Sequence, residues 1–336
     1  MIERYARQLL IPHWDQDVLS AALVVVVGVG ALGTEVARLL AQAGVGALVL
    51  CDPDEVSESN LNRGALFTDA HVGRPKVEAA AAALRAIAPG TVVEGRRAEH
   101  ARGVGLAELR DADLVISCLD SIADRVQLAA RCGLVGAAML DGGTHPWGGE
   151  VRWYPRGGPC YGCGCSAAER ALPSSSMACG IPDEMGASAP ISAMVASWLV
   201  THAVRVLFGL PVVEGLVRLD PVAGESRRVA LAADPSCPLH EPIPARFVTR
   251  SGLTVEAAVG ALLAMTTSGE RLHAWNSVDP ADRYGPLDLS AAPAGSTLGE
   301  LGIAPGELLP VIRNGPPEHV RYIELATSRP NGRDLR

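Results

Sequence analysis

Aromatic residues are scarce in this chain, and an excess of positive charge is absent. Phe, Tyr and Trp make up 4% of its 336 residues, whereas hydrophobic residues make up 48% and charged residues 20%. This balance supplies enough apolar side chains for a sizeable core and is typical of a folded, helix-rich α/β protein. The formal net charge is −8, which disfavours nucleic acid as the main partner because proteins that bind duplexes are usually basic.

The chain also lacks a long apolar run without polar interruption. Its first residues contain no apolar segment of the kind found in a signal peptide, and the run at residues 23–27 is too short to span a bilayer. No later stretch of about 18 residues is free of polar side chains. The sequence therefore predicts a cytoplasmic protein with no membrane partner.

Cysteines are too sparse for a disulfide scaffold, since the chain has eight. Five of them fall in the middle of the chain, namely Cys160, Cys163, Cys165, Cys179 and Cys237. In a cytosolic protein such clustering indicates metal or thiol chemistry rather than disulfides. No cysteine follows Cys237, so the C-terminal part contains no Cys-x₅-Arg persulfide loop and is not an obvious rhodanese.

Strands and helices are predicted to alternate from residue 22 to residue 140. Apolar runs predict buried strands at residues 22–27, 47–50, 91–94, 113–118 and 137–140. Helical spacing predicts helices between them, at residues 34–43, Lys76–Ile87 and 125–132. This alternation predicts an α/β fold with a doubly wound, mostly parallel, Rossmann-like sheet.

The pattern changes after residue 141 and again near residue 247. An alternating strand at residues 148–154, a long apolar helix at 189–208 and paired strands at 216–220 and 227–231 predict an antiparallel extension of the sheet. We predict one domain over residues 1–245 and a small second domain over residues 246–336. In the second, a helix at 254–264 and a helix–turn–strand pattern at 296–312 suggest a ubiquitin-like β-grasp fold, and the alternative is an unspecialised appendage.

A glycine turn follows the first predicted strand. Gly28 permits the tight turn, Gly30 lets the backbone approach a phosphate, and Gly33 lets the helix pack close to the strand. The helix N-terminus offers free N–H groups to an anion, and Asp52 at the next strand end would accept hydrogen bonds from ribose hydroxyls. Taken alone, this pattern favours an NAD(P)- or FAD-dependent oxidoreductase.

The residues after Asp52 favour ATP instead. A dehydrogenase needs one acidic residue here, whereas this chain continues with a set of Asn, Arg and Lys side chains. Cations at these positions would stabilise the charge that develops on a leaving pyrophosphate, and Arg63 and Lys76 would supply them. Asp120, at a later strand end, would hold Mg²⁺.

Taken in order, these motifs resemble the ThiF/MoeB/HesA family of ubiquitin-activating-enzyme-like adenylyltransferases, over about residues 3–240. The matching segments are Arg4-Tyr-Ala-Arg7-Gln8, the glycine turn, Asp52-x-Asp54, Ser59-Asn60-Leu61-x-Arg63, Gly73-Arg-Pro-Lys76 and Cys118-Leu-Asp120. The resemblance implies that these side chains, Asp54 among them, bind the nucleotide. Asp52 would bind the ribose, Asn60, Arg63 and Lys76 the triphosphate, and Asp120 the Mg²⁺, while Arg7 would reach across a homodimer interface.

Each of these residues also has an ordinary structural interpretation. A surface Arg or Lys is usually just solvated, and Asn60 alone would be a turn residue. A non-catalytic scaffold relative is a further alternative, against which the retained Arg63, Lys76 and Asp120 argue. Only the ordered set favours catalysis.

Two half-knuckles with two-residue spacers predict a structural zinc site. They are Cys160-Tyr-Gly-Cys163 and Cys237-Pro-Leu-His240. A Cys₃His set suits tetrahedral Zn²⁺, although His240 departs from the family's second Cys-x-x-Cys and Cys165 is close enough to confuse the assignment. The alternative is a relative that has lost its zinc.

Cys179 lies in a loop where some relatives carry a cysteine that bonds covalently to the acyl carrier. A catalytic role there and an inert thiol are both open. The resemblance implies that ATP adenylates a carboxylate, most simply the C-terminal glycine of a ubiquitin-like sulfur-carrier protein. The alternative substrate is a small peptide or free acid in natural-product biosynthesis.

Overall fold

The computed structural model describes residues 2–171, 186–240, 242–275, 287–313 and 319–327. Its larger sheet has the strand order β3-β2-β1-β4-β5-β6-β7-β8. These strands are β1 (Leu23–Val27), β2 (Ala47–Cys51), β3 (Val92–Arg96), β4 (Leu114–Ser117), β5 (Met139–His145), β6 (Gly148–Tyr154), β7 (Gly215–Asp220) and β8 (Glu225–Val229). Neighbours from β3 to β5 pair parallel, and those from β5 to β8 pair antiparallel. The predicted doubly wound sheet with an antiparallel extension is confirmed.

Helices cover both faces of this sheet. The α-helices in the described residues are α1 (Ile2–Tyr5), α2 (Gln16–Ala21), α3 (Ala31–Ala43), α4 (Lys76–Ile87), α5 (His100–Gly103), α6 (Leu106–Asp111), α7 (Ile122–Val135), α8 (Ala167–Arg170), α9 (Ala189–Leu207) and α10 (Val259–Leu263). Val24 and Val26 of β1 pack in the core with α3, α4 and α9, whereas Val25 and Val27 pack in the core with α6 and α7. The alternation follows from the two-residue period of a strand.

Two elements are longer than their sequence patterns indicate. Helix α7 begins three residues earlier than predicted because Ser121 caps it, accepting a hydrogen bond from the Asp124 N–H, and it ends at Gly136 with φ of 63°. Strand β5 continues to His145 because it pairs with β6 along its whole length. Cross-strand pairing of this kind leaves no signal in the apolar pattern of one strand.

The long apolar helix predicted near residue 189 is α9, and it lies in the core. Its window has a mean hydropathy of 1.3 and is long enough to cross a membrane, but 50% of that window is buried inside the protein. It packs against α3, β5 and β6. Burial of one face and exposure of Trp198 on the other are typical of a helix that covers a sheet.

The C-terminal part forms a second sheet with its own apolar core. Its strands are β9 (Val248–Arg250), β10 (Glu270–Ala274), β11 (Leu287–Asp288), β12 (Leu308–Arg313) and β13 (His319–Glu324), in the order β11-β10-β12-β13-β9. Strand β9 pairs parallel with β13, and the other neighbours pair antiparallel. The domain boundary at residue 245 and the ubiquitin-like fold of residues 246–336 stay predictions.

Of the two helices predicted in this part, one is shorter than predicted and the other is not formed. The helix predicted for residues 254–264 is reduced to α10, because the carbonyls of Val255 and Ala257 accept hydrogen bonds from Gly299 and Leu298 instead of from the next helical turn. The same pairing makes residues 296–303 a turn rather than a short helix. The strand predicted after them is confirmed as β12.

Candidate functional site

The three glycines of the turn have different surroundings. At Gly28, where φ is +88°, a Cβ would lie 2.6 Å from the Cys118 carbonyl oxygen, and at Gly33 it would lie 1.9 Å from the Gly28 oxygen. These two positions exclude a side chain by contact with the protein's own backbone. At Gly30 a Cβ would meet nothing within 4 Å. The open space at Gly30 is where a phosphate could approach the N-terminus of α3.

Asp52 sits at the end of β2 and contacts the glycine turn directly. Its Oδ2 accepts a hydrogen bond from the Val29 N–H at 2.7 Å, and its Oδ1 accepts one from the Asp54 N–H at 2.9 Å. Burial raises the pKa of Asp52, and the nearby charge of Lys76 opposes that shift. The carboxylate is therefore held next to the position expected for the ribose.

Lys76 begins α4 and points at the acidic pair. Its Nζ lies 2.7 Å from Asp54 Oδ2 and 3.9 Å from Asp52 Oδ1, although the residue is only 9% exposed. The Lys76 N–H also donates to the Asp54 carbonyl at 2.9 Å. A buried ammonium next to an open phosphate-binding turn can neutralise phosphate oxygens.

Asn60 and Arg63 are held within their own loop. Asn60 Oδ1 accepts a hydrogen bond from the Ser57 N–H at 3.1 Å, so the residue does serve as a turn residue. Arg63 Nη1 donates to Asn62 Oδ1 at 3.0 Å and to the carbonyl of Ser59. In the described part of the chain neither side chain bonds to Asp52 or Lys76, and their roles at the triphosphate stay a prediction.

Asp120 follows β4 at the same edge of the sheet as the glycine turn and Asp52. The edge is shared because β1, β2 and β4 run parallel and end together. The backbone of the preceding Cys118 contacts Gly28, and the Asp120 side chain is exposed. A carboxylate placed there can reach a cation bound between phosphates.

Arg7 lies far from this edge. The neighbouring Gln8 donates its Nε2 hydrogen to the Ala43 carbonyl at 2.7 Å, and Tyr5 packs against Gly44. Both contacts are at the C-terminal end of α3, whereas the glycine turn is at its N-terminal end. A helix of 13 residues spans about 20 Å, so Arg7 lies outside the nucleotide site of its own chain.

A buried polar cluster that the sequence did not predict lies beside the end of β4, the strand that precedes Asp120. Asp141, at the centre of it, is fully buried and bonds to Ser117 Oγ at 2.8 Å, Arg125 Nη1 at 2.9 Å and Arg152 Nη1 at 2.7 Å. One signal was available: like Asp52, Asp141 follows an apolar run. The arginines gave no local signal, because their partner lies on a different element.

The predicted metal ligands converge on one point. The ligand atoms of Cys160, Cys163, Cys237 and His240 all lie within 4.8 Å of one another. Cys160 Sγ lies 3.9 Å from Cys163 Sγ, 3.8 Å from Cys237 Sγ and 3.8 Å from His240 Nε2. Sulfur atoms about 3.8 Å apart match a tetrahedron with Zn–S bonds of about 2.3 Å. The donor set and the spacing of the other ligand atoms from Cys160 Sγ fit Zn²⁺, while Cys163 Sγ and His240 Nε2 lie closer together, at 2.8 Å.

The remaining cysteines divide into three groups. Cys165 lies outside the cluster, and its thiol donates to the Tyr161 carbonyl at 3.5 Å. The structure therefore separates Cys165 from the four candidate metal ligands. Burial raises the pKa of Cys51 and of Cys132 to about 12, as expected of cysteines that act as small buried hydrophobic side chains. Cys179 lies outside the described residues, and its covalent role stays a prediction.

Comparison with known proteins covers the larger sheet and its helices. A model of the ThiF family matches residues 5–239. Molybdopterin-synthase adenylyltransferase of Escherichia coli is 34% identical over 241 residues, which are 70% of this chain and 94% of that protein. Sulfur carrier protein adenylyltransferase of Thermus thermophilus is 30% identical over 249 residues, with 71% and 90% covered.

Solved structures agree on the fold. The crystal structure of E. coli MccB with MccA-N7isoASN matches with a TM-score of 0.59 and 19% identity, over 71% of this chain and 74% of that one. Crystalline PaaA matches with a TM-score of 0.55 and 24% identity, over 68% and 73%. At these identities the likeness establishes the fold alone.

Proposed function

This chain belongs to the ThiF family, and from that premise we propose that it is an adenylyltransferase that uses ATP to convert a carboxylate into an acyl-adenylate. The observation that carries the proposal is the pairing of Lys76 with Asp52 and Asp54 beside the glycine turn, where Asp52 bonds to the Val29 N–H and the position at Gly30 is open. The curated relatives that cover most of the chain are adenylyltransferases. The lysine beside Asp52 and Asp54 favours a triphosphate over NAD(P) or FAD, because a dinucleotide-dependent oxidoreductase needs only an acidic residue at this position.

The reaction needs positioning and charge rather than a general base. An oxygen of the substrate carboxylate, already ionised, attacks the α-phosphorus, a new O–P bond forms, and the bond from that phosphorus to pyrophosphate breaks. Lys76 and Arg63 neutralise the charge that develops on the leaving pyrophosphate. Asp120 would hold Mg²⁺, which supplies further positive charge at the phosphate oxygens. The turn from Gly28 to Gly33 holds the nucleotide in line.

The substrate carboxylate is the C-terminal glycine of a ubiquitin-like sulfur-carrier protein. Relatives named for molybdopterin synthase and for a sulfur carrier protein, at 34% and 30% identity, support this assignment. A peptide is the second candidate, because MccB, solved together with N-formylated MccA, shares the fold at 19% identity.

The active form is a cytoplasmic homodimer in which Arg7 completes the site of the partner subunit. The position of Arg7 at the far end of α3 supports this, because a cation about 20 Å from its own glycine turn cannot act there. Cys160, Cys163, Cys237 and His240 hold a structural Zn²⁺. Cys179 is the candidate for a covalent bond to the carrier.

ATP–pyrophosphate exchange tests the proposal. The full-length protein is incubated with MgATP, labelled pyrophosphate and either carriers ending in Gly-Gly or small peptides. Exchange should require one of these carboxylates and fall by about 10²- to 10³-fold in Lys76→Ala and Asp120→Ala. Asp111→Asn, an exposed carboxylate on α6, is the matched control and should keep full activity. Failure of the wild-type protein to bind ATP would refute the proposal.

A further inference from the structure

A cluster of buried charges supports the loop that carries Asp120. Asp141 and Arg152 lie directly opposite each other on β5 and β6, and Arg125 reaches the same carboxylate from α7. Two guanidinium groups thus share one fully buried carboxylate. Arg152 also pairs with Glu150. Side chains held in this way have little freedom, because each bond satisfies a group that is out of contact with water.

Arg125 connects the cluster to the loop. Its Nε donates to the Leu119 carbonyl at 3.0 Å, and its Nη2 donates to the same oxygen. The carbonyl of Cys118 lies beside Gly28, where an added Cβ would be 2.6 Å from its oxygen. The two residues before Asp120 therefore contact the glycine turn through Cys118 and one guanidinium group through Leu119.

Tyr161 connects the cluster to the cysteine knuckle. It lies between Cys160 and Cys163, in the turn Tyr161–Gly164. Its ring centroid is 5.9 Å from Arg125 Cζ and 5.4 Å from Arg152 Cζ. The electron-rich face of an aromatic ring attracts a guanidinium group, and more so away from water. The knuckle therefore carries the one aromatic ring, among the described residues, that meets both arginines.

We propose that Tyr161 is a positioning residue for the nucleotide site. The knuckle holds its ring against Arg125, and Arg125 fixes the Leu119 carbonyl and hence the direction in which Asp120 meets the metal–nucleotide complex. This inference rests on the proposed function, because it takes Asp120 as the magnesium ligand. Loss of the ring should weaken binding of the divalent cation with ATP and leave the KM of the carboxylate substrate unchanged.

Binding of Mn²⁺, a paramagnetic substitute for Mg²⁺, tests this at equilibrium and without turnover. Zinc-loaded, full-length wild type, Tyr161→Leu and Tyr161→Phe are titrated with Mn²⁺ in the presence of ATP, and free Mn²⁺ is followed by electron paramagnetic resonance. We expect Tyr161→Leu to bind Mn²⁺ about tenfold more weakly, because the cation–π contact that holds Arg125 is lost. Tyr161→Phe keeps the ring face and should match wild type. Zinc content, measured on the same samples, should be equal in all three.

The possible outcomes distinguish failure of the role of Tyr161 from failure of the proposed function. If Tyr161→Leu binds Mn²⁺ with wild-type affinity, the inference is overturned and the proposed function is left intact. If Tyr161→Phe binds Mn²⁺ as weakly as Tyr161→Leu, the inference is also overturned, because the effect would belong to the hydroxyl. Weakening accompanied by loss of zinc also overturns it, since the role would then be structural. A wild-type protein that binds no Mn²⁺ with ATP overturns the proposed function and this inference together.

Activity provides a second readout. In ATP–pyrophosphate exchange, Tyr161→Leu should raise the Mg²⁺ concentration for half-maximal rate by about tenfold, with exchange approaching the wild-type rate at saturating Mg²⁺. Arg125→Lys should behave in the same way, because an ammonium cannot make the paired bonds to Leu119. A rate that is reduced equally at every Mg²⁺ concentration would overturn the inference.

Discussion

Arg131 and Glu307 form an ion pair between the two sheets, with Nη2 and Oε2 2.6 Å apart and the side chains 1% and 3% exposed. Glu307 precedes β12, and Arg131 lies on α7. The Glu307 carboxylate also accepts a hydrogen bond from the Leu106 N–H at 3.3 Å. Burial raises the pKa of Glu307, and the Arg131 charge opposes that shift. The C-terminal sheet is thus joined to the larger one through charges that are out of contact with water.

Breaking this pair on one side should be strongly destabilising. Glu307→Ala leaves the Arg131 charge buried and unpaired, and we expect the free energy of unfolding to fall by about 3–5 kcal/mol in urea denaturation. The double variant Arg131→Leu/Glu307→Leu removes both charges and should lie much closer to wild type. Equal losses in the single and double variants would contradict this account.

His100 should make stability depend on acidity. Burial, with the charge of Arg131, lowers the pKa of His100 from 6.5 to about 3. Between these values the unfolded chain binds a proton that the folded chain does not, so the free energy of unfolding falls as the pH falls. The loss should be about 2 kcal/mol from pH 7 to pH 5. Urea denaturation of His100→Gln should lack this component, and identical pH profiles would exclude it.

Two glycines of the turn should respond differently to an added methyl group. In Gly33→Ala the Cβ would meet the Gly28 oxygen at 1.9 Å, and we expect thermal unfolding to report a destabilisation of at least about 1–3 kcal/mol. In Gly30→Ala the methyl group enters open space. That variant should fold normally and bind ATP poorly in calorimetric titration. Normal ATP affinity in Gly30→Ala would mean that the phosphates lie elsewhere.

Zinc content should distinguish the cysteines of the proposed metal site from the neighbouring Cys165. Plasma mass spectrometry should find about one zinc per chain in wild type and in Cys165→Ser, and little in Cys163→Ser or Cys237→Ser. Because the site joins the turns at Tyr161–Gly164 and Pro238–His240, zinc-free variants should melt at least about 5 °C lower. Retention of zinc in Cys237→Ser would refute the assigned ligand set.

Subunit complementation tests the assignment of Arg7 to the partner subunit. Arg7→Ala and Lys76→Ala should each be nearly inactive as homodimers. Random mixing by co-expression would yield about half heterodimers, each with one complete site, and hence about a quarter of the wild-type exchange rate. Activity no higher than that of the homodimers would show that Arg7 acts within its own subunit or not at all.

Much of the site was predictable because its signals are local. The glycine turn, Asp52 and Lys76 lie at strand or helix ends whose apolar patterns are clear, and parallel strands bring those ends to one edge. The four proposed zinc ligands were predictable for the same reason, since each half-knuckle is a short spacing and the structure brings the two together. Asp54 was predictable from its place in the same motif as Asp52.

Only the tertiary structure identified the contacts that hold the site in place. Arg131 and Glu307 are 176 residues apart in the chain, and Tyr161 meets Arg125 and Arg152 from a separate turn. The length of α10 likewise depended on hydrogen bonds from the distant residues Leu298 and Gly299. Periodicity and spacing record what a segment does with its neighbours in sequence, whereas an ion pair or a ring contact between distant segments has no period. Such contacts are determined by the way the sheets and helices pack.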